Sequence, residues 1–98
     1  MYALFTMFTL GPETQEIADE LGEKFSSILR GLKGFKSLTM FRDDETGENA
    51  GLSLWESKAD AEAALAATGS KLKETLSGVV KGQPKRGVYK VWGVFEAG

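Results

Sequence analysis

Thr39, Phe41, Ser53 and Trp55 stand two residues apart in two extended-looking segments on either side of the loop around Gly47. In a strand such spacing puts side chains on one face. Two hydroxyls with two aromatic planes suit a flat, weakly polar molecule held by stacking and a few hydrogen bonds, and Gly51 leaves room beside them. Tyr89 adds a phenol able to donate to an oxyanion, and Arg42 a guanidinium able to clamp a carboxylate or enolate. Each has a reading that needs no ligand. Trp55 at a strand end also plugs a core with its N–H on a carbonyl, and Tyr89 also packs as an aromatic with a wet hydroxyl. Trp92 reads as core or subunit interface, and Arg42 beside Asp43 and Asp44 as half of a hairpin ion pair.

What the chain lacks narrows the chemistry further. Its 98 residues contain no cysteine and no histidine, which removes thiolate nucleophiles, disulfides, the usual zinc sites and the side chain that titrates near neutrality. No metal site or cofactor motif is expected, nor a glycine-rich phosphate loop. Thr6, Thr9, Thr39 and Ser53 have no activating neighbour, and Asp43, Asp44, Glu45, Glu48 and Glu56 read as exposed carboxylates, weak bases unless burial raises a pKa. Twelve basic against 14 acidic side chains give a net charge of −2, which argues against nucleic acid as a partner. Lys81, Lys85, Arg86 and Lys90 form a local basic run, read as a solvated loop leading into a strand or as an anion receiver. An RNA-recognition module would need a basic-glycine-aromatic signature where Asn49-Ala50-Gly51-Leu52-Ser53-Leu54 stands.

The elements that must position these residues follow from periodicity. Tyr2 to Leu10 is a strand stopped by Gly11-Pro12, and from Glu13 to Leu32 apolar residues recur every three or four positions, as on one face of a helix. Lys36 to Asp43 and Ala50 to Glu56 form a hairpin. Ser57 caps a second helix with the stripe Ala61, Ala64, Leu65, Leu72, Leu76, Val79 and Val80, which Gly69 is predicted to break or bend. Arg86 to Glu96 is the predicted fourth strand. The order βαββαβ defines an α+β, ferredoxin-like fold, a four-stranded antiparallel sheet with two helices on one face, and residues 1–98 read as a single domain. The opening MYALFTMFTL has no basic leader and is too short to span a bilayer, so a cytoplasmic, membrane-free protein is expected.

If the hairpin register is regular, Leu38, Met40, Leu52 and Leu54 share one face and Ser37, Thr39, Phe41, Gly51, Ser53 and Trp55 the other. Neither reads as solvated, and two helices cover only one. Hiding roughly 600 Å² of the second face in each subunit is worth on the order of 15 kcal/mol before association costs. The expectation is a homodimer joined through its sheet faces as an α/β barrel.

The stretch Gly34 to Ala67, with Gly34-Phe35 before the second strand and Trp55-Glu56-Ser57 closing the third, resembles the dimeric α/β-barrel proteins of the antibiotic-biosynthesis monooxygenase type. The resemblance implies a homodimer and a pocket between sheet and helices for a small aromatic or polyketide-like compound, oxidised by molecular oxygen without metal or flavin. It places Ser53 where many members have a glutamate and Ala64 where they often have a histidine, so that both would border the pocket. The haem-degrading branch depends on a histidine this chain lacks. The alternative is a non-catalytic homodimer of the same fold that binds a small ligand or serves structure alone.

Overall fold

A computed structural model describes residues Met1–Gly98. Strand β1 (Tyr2–Thr9) is followed by helix α1 (Gln15–Arg30), the hairpin of β2 (Phe35–Asp43) and β3 (Glu48–Trp55), helix α2 (Lys58–Leu76) and strand β4 (Lys81–Lys90). The four strands form one antiparallel sheet in the order β2-β3-β1-β4, with both helices on one face, the predicted ferredoxin-like α+β fold. No helix is long and apolar enough to cross a membrane.

Local chemistry explains the boundaries. Thr14 donates its hydroxyl to the Gly11 carbonyl (2.8 Å), closing the turn that leads into α1. Ser57 Oγ accepts from the Asp60 amide (3.1 Å), the predicted cap of α2. Gly47, at φ +76°, lets the hairpin turn fold back so that its carbonyl receives the Leu10 amide at 2.9 Å, and a side chain there would strike the Gly11 backbone.

Two expectations are corrected. Helix α2 runs unbroken through Gly69, because Ala64, Thr68 and Leu72 bury its flanking turns and tertiary packing outweighs a helix penalty of about 1 kcal/mol. Strand β4 begins at Lys81 and ends at Lys90, five residues earlier than predicted at its start and six at its end. Its pairing with β1, from Thr9↔Lys81 to Tyr2↔Lys90, sets its length, and Val91–Gly98 extends beyond the last partner in β1. Trp92, 84% exposed, belongs to no core of this chain.

The hairpin register differs as well. Arg42 faces Asn49 and Leu38 faces Ser53, so partners have opposite parity, and β2 carries an irregularity between Phe35 and Ser37. Leu38 and Met40 therefore share the helix-facing side with Gly51, Ser53 and Trp55, while Thr39 and Phe41 share the outer side with Leu52 and Leu54. The outer side remains apolar at its centre, where Phe5, Met7, Leu52 and Leu54 are half-buried and no helix covers them.

Between sheet and helices the core falls into two clusters. One gathers Leu4, Leu29, Trp55, Ala61 and Ala64, and the other Leu10, Ala18, Leu21, Leu72 and Leu76.

Candidate functional site

A cleft lies between these clusters and takes wall residues from both. Its floor is the sheet (Leu4, Thr6, Phe8, Leu38, Met40, Gly51, Ser53), and its sides are α1 (Leu21, Gly22, Phe25, Leu29) and the middle of α2 (Thr68, Leu72). The resemblance implied a pocket bordered by Ser53 and Ala64 against α2, but Ala64 is wholly buried in the Trp55 cluster and the cleft lies chiefly under α1. The volume open to the centres of water-sized molecules is about 80 Å³, below the roughly 300–1,000 Å³ typical of small-molecule sites. A multi-ring guest therefore requires side chains at the rim to move. Met40 is placed to do so, being unbranched, half exposed and lying over Gly22, whose missing Cβ would meet the Met40 sulfur at 2.9 Å.

Polar groups in this apolar cleft are few. Ser53 Oγ donates to the Leu4 carbonyl (3.3 Å) and accepts from Trp55 Nε1 (2.8 Å), so both its functions are engaged inside the fold. Asn49 donates to the Gly47 carbonyl (3.0 Å) and accepts from Arg42 Nε (3.3 Å). Thr68 donates to the Ala64 carbonyl at 2.7 Å, the α2 turn below it. Every buried side-chain polar atom has a partner.

Arg86 is the only charged residue in the wall. It reaches in from β4 and donates Nε to Thr6 Oγ1 (3.1 Å), one terminal nitrogen to the Leu65 carbonyl (3.2 Å) and the other to Thr68 Oγ1 (2.6 Å). Gly69 of α2 lies beside it, where an added Cβ would make an ordinary contact with the guanidinium at 3.8 Å. The chain has two ion pairs, Lys36–Glu56 and Arg42–Asp19, and neither includes Arg86. Burial without a carboxylate partner pushes its guanidinium below the ordinary arginine value, while leaving it charged. From sequence alone Arg86 belongs to a basic run that reads as a solvated loop or an anion receiver, at the start of the predicted fourth strand. The available signal was its alternation with Val88, two positions on and packed against the core cluster of Leu4 and Trp55.

The structure separates the residues singled out from sequence. Ser53 lines the cleft. Phe41 borders it, but alternation puts its side chain on the outer side of the sheet, where it is 52% exposed. Thr39 is likewise on the outer side and exposed, away from the cleft. Trp55 is wholly buried, edge-on to Phe35 with ring centres 5.5 Å apart, and has no face free to stack on a ligand. Its N–H finds the Ser53 hydroxyl instead of the expected carbonyl. Tyr89 is on the outer side beside Ala3, half exposed, with its ring across Gly87, and cannot donate into the cleft of its own subunit. Arg42 does not line the cleft, and its partner is Asp19 of α1, not Asp43 or Asp44, so it ties α1 to β2. Glu56 is a surface carboxylate held below the usual range by its hydrogen bond and charge contact with Lys36. No group of three His, Cys, Asp or Glu side chains is placed to hold a metal ion.

No aspartate, glutamate, lysine or tyrosine lines the cleft. The wall can exclude water, accept or donate a few hydrogen bonds and hold negative charge at Arg86, and a proton would have to leave from an acidic guest.

No family model matches the sequence, and no curated protein matches it. Solved structures do match the fold. A monooxygenase from the gene ActVA-Orf6 of Streptomyces coelicolor, in complex with nanaomycin D, superposes with a TM-score of 0.79 over 99% of this chain and 92% of that one, at 21% identity. SnoaB, a cofactor-independent oxygenase from Streptomyces nogalater, gives 0.77 over 98% and 97%, at 15% identity. An antibiotic biosynthesis monooxygenase gives 0.73 over 93% and 98%, at 14% identity. The order of strands, the placement of both helices on one face and these superpositions agree: the chain has the fold of the antibiotic biosynthesis monooxygenases.

Proposed function

We propose that the protein is a cofactor-independent monooxygenase acting, as a homodimer, on a small aromatic or polyketide-like compound bound between sheet and helices. The observation that carries this reading is the apolar cleft with one uncompensated cation, in a fold shared with a structure holding nanaomycin D and with a cofactor-independent oxygenase. The chemistry follows from what the wall offers. An anthrone-like or phenolic guest is acidic enough to ionise once its anion is held, and the resulting electron-rich carbanion can pass electrons to oxygen directly. Dioxygen adds at the ionised carbon, giving a hydroperoxide after protonation. Loss of water from it leaves a carbonyl, so that a CH₂ and one O₂ become C=O and one H₂O. The protein's part is to desolvate the anion and fix its orientation.

Homodimerisation is supported by the outer sheet side, where Phe5, Met7, Leu52 and Leu54 lie half-buried with Phe41 and Tyr89 half exposed at the margins. The tail adds exposed Trp92, Val94 and Phe95 to the chain's apolar surface, and large contiguous apolar patches mark interaction sites.

Oxygen consumption with a panel of anthrones and naphthohydroquinones tests the activity. The expected result is uptake above the buffer rate, one O₂ per molecule oxidised to the carbonyl in the anthrone series. Compounds that raise the melting temperature with no uptake would instead identify a ligand-binding protein of the same fold.

A further inference from the structure

We propose that guests reach the cleft through the seam between α1 and β2, and that the two contacts closing this seam, Met40 on Gly22 and Arg42 on Asp19, determine which ring systems enter and how fast. This deepens the proposed oxygenase reading and rests on it for the identity of the cleft as the substrate site.

Two hollows meet at this seam. The inner one is the apolar cleft, about 80 Å³ open to the centres of water-sized molecules, and the outer one is a shallow groove of about 360 Å³ along α1, lined by Ala18, Asp19, Glu23 and Ser26. Gly22 and Met40 belong to the walls of both. Between the hollows stands one thioether side chain, lying on the helix where it has no side chain of its own and where a Cβ would come to 2.9 Å of the sulfur. Met40 is half exposed and unbranched, so it can leave this position by rotation about its own bonds while the backbone stays in place.

The ion pair occupies the neighbouring places on both elements. Asp19 is one helical turn before Gly22, and Arg42 follows Met40 on the same face of β2. Arg42 Nε donates to Asn49 Oδ1 at 3.3 Å, which holds the guanidinium to the sheet, while Asp19 takes its other end with a side chain 66% exposed. A pair so open to water is weak and screened by salt, and it fastens α1 to the strand loosely. The opposite margin of the cleft is tied more firmly, because Arg86 of β4 donates to both the Leu65 carbonyl and Thr68 Oγ1 of α2. The ends are closed by the buried clusters around Trp55 and Leu76. The seam at β2, an edge strand, is thus the margin that opens at least cost. A narrow guest passes once Met40 rotates, whereas a broader one also draws α1 away from β2 and breaks the Arg42–Asp19 contact.

The experiment mixes the intact protein in a stopped-flow fluorimeter with two fluorescent alcohols that carry no charge, 2-naphthalenemethanol with two fused rings and 1-pyrenemethanol with four. With the wild type, the two-ring alcohol should enter faster. Met40→Ala should speed entry of the four-ring alcohol by about tenfold and narrow the gap between the two. Asp19→Asn should speed it about two- to fivefold, the worth of an exposed ion pair, without weakening its equilibrium affinity, because Asp19 lies outside the cleft wall. Added salt should speed entry of the same uncharged probe into the wild type and leave Asp19→Asn unaffected. A four-ring probe that enters only the variants also supports the seam. If Met40→Ala fails to fold, Asp19→Asn and the salt dependence of the wild type still decide the matter. Entry indifferent to both salt and Asp19→Asn, a folded Met40→Ala protein that keeps the full preference for the smaller probe, or failure of 2-naphthalenemethanol to bind would each overturn the inference. Oxygen uptake on anthrone in the same preparations separates the two claims. Entry that responds to these changes without uptake leaves the entrance standing and removes the oxygenase, whereas uptake with unresponsive entry does the reverse.

Discussion

Trp55 and Arg86 exchange the roles their residue types suggest. The tryptophan, a natural stacking surface, is sealed between Phe35, Leu4 and α2, and the arginine, usually a surface residue, is drawn into the cleft wall. Trp55→Ala should therefore act on stability before anything else. A loss of roughly 3–5 kcal/mol is expected for a buried aromatic cut to alanine, a large share of the roughly 5–15 kcal/mol that holds a domain together. In urea denaturation the variant should unfold at much lower concentration, whereas Trp55→Phe, which keeps a ring, should fold with a smaller deficit. A Trp55→Ala protein as stable as the parent would refute the plug. The sequence left Trp55 open between ligand and core because both uses need the same indole, and only its burial separates them. Arg86 was illegible for a different reason. In a run with Lys81, Lys85 and Lys90 it is not distinguished from the others, whether the run is solvated or receives an anion, and its inward direction depends on how β4 pairs with β1.

At the level of elements, the strands and helices were readable because Tyr2–Thr9 is a short, nearly continuous apolar run of strand length whereas apolar residues in Gln15–Arg30 recur about every 3.6 positions. Register was not readable. Parity in a hairpin depends on whether its loop holds an odd or even number of residues, and the four residues between Asp43 and Glu48 reverse the assignment that a symmetric turn about Gly47 suggests. Strand β4 was displaced in the sequence reading because Val91–Phe95 has stronger β-forming side chains than Lys81–Lys85, yet it is the latter that meets β1. Helix α2 offers a direct test of how tertiary packing overrides local preference. Gly69 lies in its interior with helical neighbours on both sides and nothing nearer than 3.8 Å to a new Cβ. Gly69→Ala should stabilise the fold by about 0.5–1 kcal/mol, seen as a higher melting temperature. A decrease would mean that the extra methyl disturbs Arg86, the group it approaches.

For the whole molecule, the uncovered side of the sheet is the surface on which the proposed homodimer depends. Leu52 sits at the centre of that side, between Phe5 on β1 and Thr39 on β2. Leu52→Glu would put a charge into any sheet-to-sheet contact, and sedimentation equilibrium should show a dimer in the parent and a monomer in the variant, with the circular dichroism spectrum retained. A parent that sediments as a monomer at micromolar concentration would remove the dimer from the proposal.

Gly22 and Met40 carry the last consequence. Because α1 is bare at Gly22, the Met40 thioether rests against the helix where a Cβ would come to 2.9 Å of its sulfur, and it does so at the wall of the cleft. If the proposed function holds, guest size would be governed at Met40 by rotation about single bonds. Replacing one flexible side chain would then retune which ring systems are admitted while the scaffold stays as it is.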